Sequence, residues 1–223
     1  TLTTTFDDTS DNGWAWGVTL SADGNIAFVA DGYSGLRIID LSSLDSPTLT
    51  GSYDTSGYAY GVSLSADGNT AFVADDINGL QIIDVSYPAS PTLTGTYNAS
   101  GTANARGVTL SADGNTAFVA DGNDGLQILD VSVLASPTLI SSYDTYGSAL
   151  GVTISADGNT AFVADDVNGL QIIDVSNPAS PTFRGNYNTS GSAEDVTFSA
   201  DGNTVFVADG NGGLQIIDIS NLE

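Results

Sequence analysis

The chain has 223 residues, no cysteine and no histidine, and a formal net charge of −24 from 3 Lys+Arg against 27 Asp+Glu. That composition excludes a disulfide framework, thiol chemistry and the commonest general base and transition-metal ligand. So acidic a surface also repels nucleic acid and anionic membranes, and no apolar run approaches the ~18 residues that a membrane-inserted segment needs.

Taken in chain order, the first element is a short strand, TLTTTF at 1–6, which opens in mid-pattern without a Met and leads us to expect a processed or excised piece. Trp14-Ala-Trp16 then introduces GVTL, an Ala-Asp-Gly hairpin turn, the apolar strand IAFVA, a loop ending in Gly35, the strand LRIID, a Ser/Pro turn and the strand TLTGSY. The same order of four strands returns with Gly17, Gly61, Gly107, Gly151 and Asp195 at equivalent places, a period of about 44–46 residues. The units are taken as 17–60, 61–106, 107–150, 151–194, and 195–223 joined by 1–16, in one domain of residues 1–223.

Strands two and three of each unit are almost continuously apolar, so both of their faces must be buried. Sheets stacked face to face around an axis satisfy that demand, which predicts an all-β, five-bladed β-propeller of four-stranded antiparallel blades with almost no helix. The fifth unit ends at LQIIDISNLE without a fourth strand, and TLTTTF matches the fourth-strand phrase TLTGSY. The N-terminal strand is therefore expected to complete the last blade and close the ring. The rival is a window cut from a longer alternating array.

The phrases FVADGYSGLRIIDLS and FVADDINGLQIIDVSYPASPTLTGTY resemble the LVIVD repeat of bacterial and archaeal surface proteins. The resemblance covers all five units and implies a β-propeller that is exported or surface-attached. It implies no reaction, and the chain departs from the pattern by lacking lysine and by the uniformity of its units.

Only two acidic residues, Glu194 and Glu223, are Glu, and most of the Asp recur at fixed turn positions, where a short carboxylate caps backbone amides. Capping is accordingly the plain reading of Asp31, Asp75, Asp121, Asp165 and Asp209 before the loop, and of Asp40, Asp84, Asp130, Asp174 and Asp218 at the end of strand three. No cofactor is expected. Calcium at Asp75, Asp76, Asp121 and Asp124 is the competing reading, because hard cations take clustered oxygens. Glycoside hydrolysis needs two carboxylates that break the repeat and face each other. Only Glu194 and Asp195 break it, as sequence neighbours, so the expectation is that the chain is not an enzyme.

Positions that vary within a uniform repeat were not fixed by folding. The most variable pair flanks the Ala before strand one: Trp14 and Trp16, Tyr58 and Tyr60, Asn104 and Arg106, Ser148 and Leu150, Ser192 and Glu194. Trp14, Trp16, Tyr58, Tyr60, Asn104, Arg106, Leu150 and Glu194 are the candidate binding residues, expected to ring the mouth of the channel, where aromatic faces take sugar rings or anchor proteins. The function expected is a non-catalytic binding or scaffold module, extracellular or at the cell surface, with a protein or glycan partner. The alternatives are a fibre or sheath subunit that assembles with copies of itself, and a lectin-like propeller.

Overall fold

Each unit folds into the short antiparallel strands that its repeated phrases predict. The computed structural model describes residues 5–6, 13–98, 104–199 and 201–220, and within these the chain is a five-bladed β-propeller. Blade one is built from β1 (Gly17–Leu20), β2 (Ile26–Ala30), β3 (Leu36–Asp40) and β4 (Thr48–Tyr53), paired antiparallel in that order. Blades two, three and four repeat it with β5 (Gly61–Leu64) to β8 (Thr92–Tyr97), β9 (Gly107–Leu110) to β12 (Thr138–Tyr143), and β13 (Gly151–Ile154) to β16 (Thr182–Tyr187). Blade five contributes β17 (Asp195–Phe198), β18 (Thr204–Ala208) and β19 (Leu214–Asp218), with a single 3-10 turn at Gly210–Gly212. Among the described residues no helix is long and apolar enough to cross a membrane.

Continuous apolar strands work because a period of two gives each blade two different apolar faces. In blade two, Phe72, Leu80 and Ile82 point one way and pack on Ala117, Val119 and Leu129 of blade three. Ala71, Val73 and Ile83 point the other way and receive Phe28, Leu36 and Ile38 of blade one. A bulky face thus meets a smaller one at the junctions one–two, two–three, three–four and four–five. The innermost strands meet almost backbone to backbone. A Cβ at Gly61 would stand 2.6 Å from the Arg106 carbonyl oxygen and 3.2 Å from the Gly107 Cα, which explains why glycine returns there. Asp195 replaces it in blade five: its Cα backs onto Gly151 of β13, where a Cβ would stand 2.8 Å away, and its own side chain is on the flank that blade one does not cover among the described residues.

The outward flanks of the two end blades are different. Leu214 and Ile216 of β19 are 62% and 65% exposed, whereas Leu80 and Ile82 are fully buried. On the opposite flank Val18 and Leu20 are exposed, while Val62 and Leu64 pack into the first junction. Among the described residues the flank of blade five has no apolar partner from blade one. The expected closing strand lies, for Thr1–Thr4, outside the described residues; Thr5 and Phe6 carry no strand.

The acidic turns follow one plan. Asp23 accepts hydrogen bonds from Ser21 Oγ at 2.6 Å and from the Asn25 backbone N at 3.1 Å, while Ser21 Oγ accepts from the Ile26 N at 2.9 Å. The same set recurs around Asp67, Asp113, Asp157 and Asp201. Asp40 accepts from the Ser42 N, and its equivalents do likewise. These bonds favour the charged form and hold both sets of carboxyls below their ordinary range. The capping reading of the Asp at the end of strand three is what the structure shows.

Candidate aromatic rim

The loop between the second and third strands of one blade and the link into the next blade lie side by side. Gly32 and Ala59 form an isolated antiparallel bridge, as do Asp76 and Ala105, Gly122 and Ala149, and Asp166 and Ala193. The buried Ala is the fixed point, and the residues on either side of it project away on the same rim. That geometry sets Tyr58 and Tyr60 beside Asn104 and Arg106; Trp14 and Trp16, whose Ala15 is exposed and forms no such bridge among the described residues, join them through ring contacts.

Trp14 and Trp16 stack with centroids 6.4 Å apart and planes at 21°. Trp16 meets Tyr58 edge-on at 6.2 Å and Tyr60 at 5.2 Å, and its Nε1 donates a hydrogen bond of 2.9 Å to the Tyr58 hydroxyl. Tyr58 and Tyr60 are 4.7 Å apart. The Arg106 guanidinium carbon lies 3.9 Å from the Tyr60 ring centroid, and its Nε donates to Asn104 Oδ1 at 2.5 Å. Burial raises the Tyr60 phenol above its ordinary value while Arg106 opposes that shift, so at neutral pH it remains a hydrogen-bond donor. The cluster does not bury itself: Trp14 is 67% and Trp16 55% exposed. Leu150 and Glu194 lie on the same rim of later blades, half-buried and exposed, and join none of these ring contacts.

Tyr33 belongs to the cluster and was not among the expected residues. It stands in the β2–β3 loop, 72% exposed, and meets Tyr58 edge-on at 4.6 Å. The signal was present in the same form as for the link residues: position 33 is Tyr where the other units carry Ile77, Asn123, Val167 and Asn211.

The loop Asp do more than cap. Asp75 is buried and accepts from Thr55 Oγ1 at 2.5 Å and from Asn78 Nδ2 at 3.2 Å; Asp165 accepts from Thr145 Oγ1 at 2.6 Å. Asp121 accepts from the Asn104 backbone N at 2.8 Å. Each therefore ties its loop to a neighbouring link and so holds the rim in place. Burial pushes Asp75, Asp121 and Asp165 up to about 6, against the opposing pull of these hydrogen bonds. Of the calcium candidates, Asp75 and Asp121 spend their oxygens this way, Asp76 holds the bridge to Ala105 through its backbone, and the Asp124 N donates to the Asp121 carbonyl. Among the described residues no group of three or more acidic side chains is placed to hold a metal.

A family model described as the LVIVD repeat matches residues 12–55, 56–99, 104–145, 147–189 and 190–222, and the chain belongs to that family. No curated protein matches it. Among solved structures it is similar to the periplasmic gluconolactonase of Pseudomonas aeruginosa, with a TM-score of 0.77 at 18% identity, over 92% of this chain and 66% of that one. It is also similar to two proteins assigned as 6-phosphogluconolactonases. That of Bacteroides fragilis has a TM-score of 0.73 at 14% identity, and that of Bacteroides uniformis 0.74 at 15%, each over 89% of this chain and 65% of the other. The chain thus spans about two thirds of the length of these proteins, and at such identities the likeness is one of fold.

These neighbours overturn the expectation that the chain is not an enzyme, because the fold they share with it serves enzymes. That expectation rested on the missing pair of opposed carboxylates, a demand specific to glycosidic bonds. Opening a lactone asks instead for a general base on water and donors to the developing oxyanion.

Proposed function

We propose that this LVIVD-repeat propeller is a binding module, exported or displayed at the cell surface, whose aromatic rim anchors a protein partner. One observation carries the proposal: both tryptophans of the chain stand exposed in one cluster with Tyr33, Tyr58, Tyr60 and Arg106. Trp, Tyr and Arg are the residue types that dominate binding energy at protein interfaces, because large rigid rings lose little entropy on contact. The hydrogen bond from Trp16 to Tyr58 and the buried Asp beneath the loops prearrange the rings. A net charge of −24 favours a partner with an apolar centre ringed by basic residues. Placement at the surface is supported by what the LVIVD-repeat resemblance implies.

The test is selection from a displayed library of random twelve-residue peptides. Apolar-basic peptides should be enriched, and their affinity should fall about tenfold or more in Trp16→Ala. Failure to enrich any peptide, or equal binding to the variant, overturns the proposal.

A second reading rests on the end flanks. The exposed Leu214 and Ile216 correspond to the bulky side of every internal junction, and the exposed Val18 and Leu20 to its receiving side. A second copy of the chain carries the required face, so the two flanks support head-to-tail self-assembly, which gives a fibre unless the rotation closes. Asp195 would crowd the inner edge of such a contact, so β18 and β19 would form it. Native mass spectrometry over a concentration series should show oligomers that Ile216→Asp abolishes. A monodisperse monomer throughout contradicts this reading and favours closure by the chain's own first strand.

A further inference from the structure

Blades splay toward their outer edges, and between blades three and four the gap forms a cleft of about 480 Å³ lined by Tyr143, Tyr146, Asn168, Phe183, Asn186 and Asn188, among others. Three of these depart from the repeat. Phe183 stands where the other fourth strands carry Leu49, Leu93 and Leu139, and Asn186 where they carry Ser52, Thr96 and Ser142. Tyr146 replaces the serine of the equal-length links, Ser56 and Ser190. Sister blades fold without these residues, so folding does not require them. They come from two segments some forty residues apart, yet they converge on one cleft.

Tyr146 is costly to keep there. Its φ is +64°, a left-handed conformation unfavourable for a bulky residue, and its ring is 85% exposed. Phe183, on the outer strand of blade four, is 55% exposed and lines the same cleft. Side-chain amides line the same cleft: Asn186 Nδ2 donates to Asn188 Oδ1 at 2.9 Å, and each amide keeps further donor and acceptor capacity. None of the lining residues carries a charge.

We infer that this cleft is a binding site for a neutral sugar, a site separate from the aromatic rim and independent of its function. The rings of Tyr146 and Phe183 would cover the apolar faces of the sugar, and Asn168, Asn186 and Asn188 would take its hydroxyls. The volume is within the range of small-molecule sites and admits one or two sugar rings. The charge of the chain disfavours anionic ligands at this uncharged cleft.

The experiment is calorimetric titration of the whole chain with maltotriose, cellotriose, xylotriose and chitotriose, followed in parallel by tryptophan emission. Phe183→Leu and Tyr146→Ser each restore the residue of the sister blades, so the fold is retained. At least one sugar should bind to the native chain, with its Kd raised fivefold or more in each variant. The cleft contains no tryptophan, so emission should stay constant, which distinguishes this site from the rim. Absence of binding by all four sugars, equal binding in both variants, or binding that shifts the emission overturns the inference.

Discussion

The indole N–H of Trp16 donates to the hydroxyl of Tyr58 at 2.9 Å, joining residues 42 positions apart on neighbouring blades. The bond lies on the surface and joins residues that flank the equivalent alanines, Ala15 and Ala59, of successive units. Tyr58→Phe removes the acceptor and leaves the rings in place. It should change global stability by less than about 1 kcal/mol, as exposed hydrogen bonds do. Near-ultraviolet circular dichroism of the Trp16 environment should change, and denaturant unfolding should show nearly the same midpoint.

Leu36→Ala and Leu214→Ala make the same chemical change at equivalent positions of blades one and five. Leu36 is fully buried against blade two, whereas Leu214 is exposed. The first should cost about 2–5 kcal/mol and the second below about 1 kcal/mol. Equal losses in urea unfolding would mean that the flank of blade five is covered in solution.

Gly61→Ala places a Cβ 2.6 Å from the Arg106 carbonyl oxygen, between two backbones that cannot swing aside. Several kcal/mol should be lost, within the range of overpacked sites. Asp195→Gly, which restores the residue of the other units, should be tolerated. The pair of unfolding curves checks whether the inner strands hold the blades in register.

Stability should fall as pH rises from about 4 to about 6. Asp75, Asp121 and Asp165 ionise near 3.8 in the unfolded chain and near 6 when folded, so over that window the folded chain keeps protons that the unfolded chain has released. Each is worth on the order of 1–3 kcal/mol, fully present below the unfolded value and lost above the folded one. Below about pH 4 the turn carboxylates reverse the trend, because Asp23, Asp67 and their equivalents lose their hydrogen bonds on protonation. Guanidine unfolding should therefore show an optimum at about pH 4–5, and Asp75→Asn should flatten the slope above it. A midpoint that climbs from pH 5 to 7 contradicts the assignment.

The blades, their turns and the variable pair beside each alanine were legible because they are local. A strand buried on both faces is continuously apolar, Asp-Gly marks its hairpin, and the Ser-Ala-Asp-Gly phrase contains its own hydrogen bonds. Other features required tertiary structure. The carboxylate of Asp75 reads as a loop cap until Thr55, 20 residues earlier, is seen to donate to it. Tyr33 varies among units as Tyr58 does, but only the bridge between Gly32 and Ala59 shows that the two rings touch. The cleft around Phe183 depends on the outward splay of two blades, a geometry that no single repeat records. The expectation that the chain is not an enzyme failed because its criterion, two opposed carboxylates, belonged to one reaction class.

Trp14 and Trp16 are the only tryptophans in the chain, so its fluorescence reports on the rim alone. The most direct measurement is emission of the native chain with acrylamide quenching. Red-shifted emission and ready quenching are predicted, with protection when a selected peptide is bound. Blue-shifted emission that acrylamide barely quenches would place the indoles in the interior and contradict the rim as a binding surface.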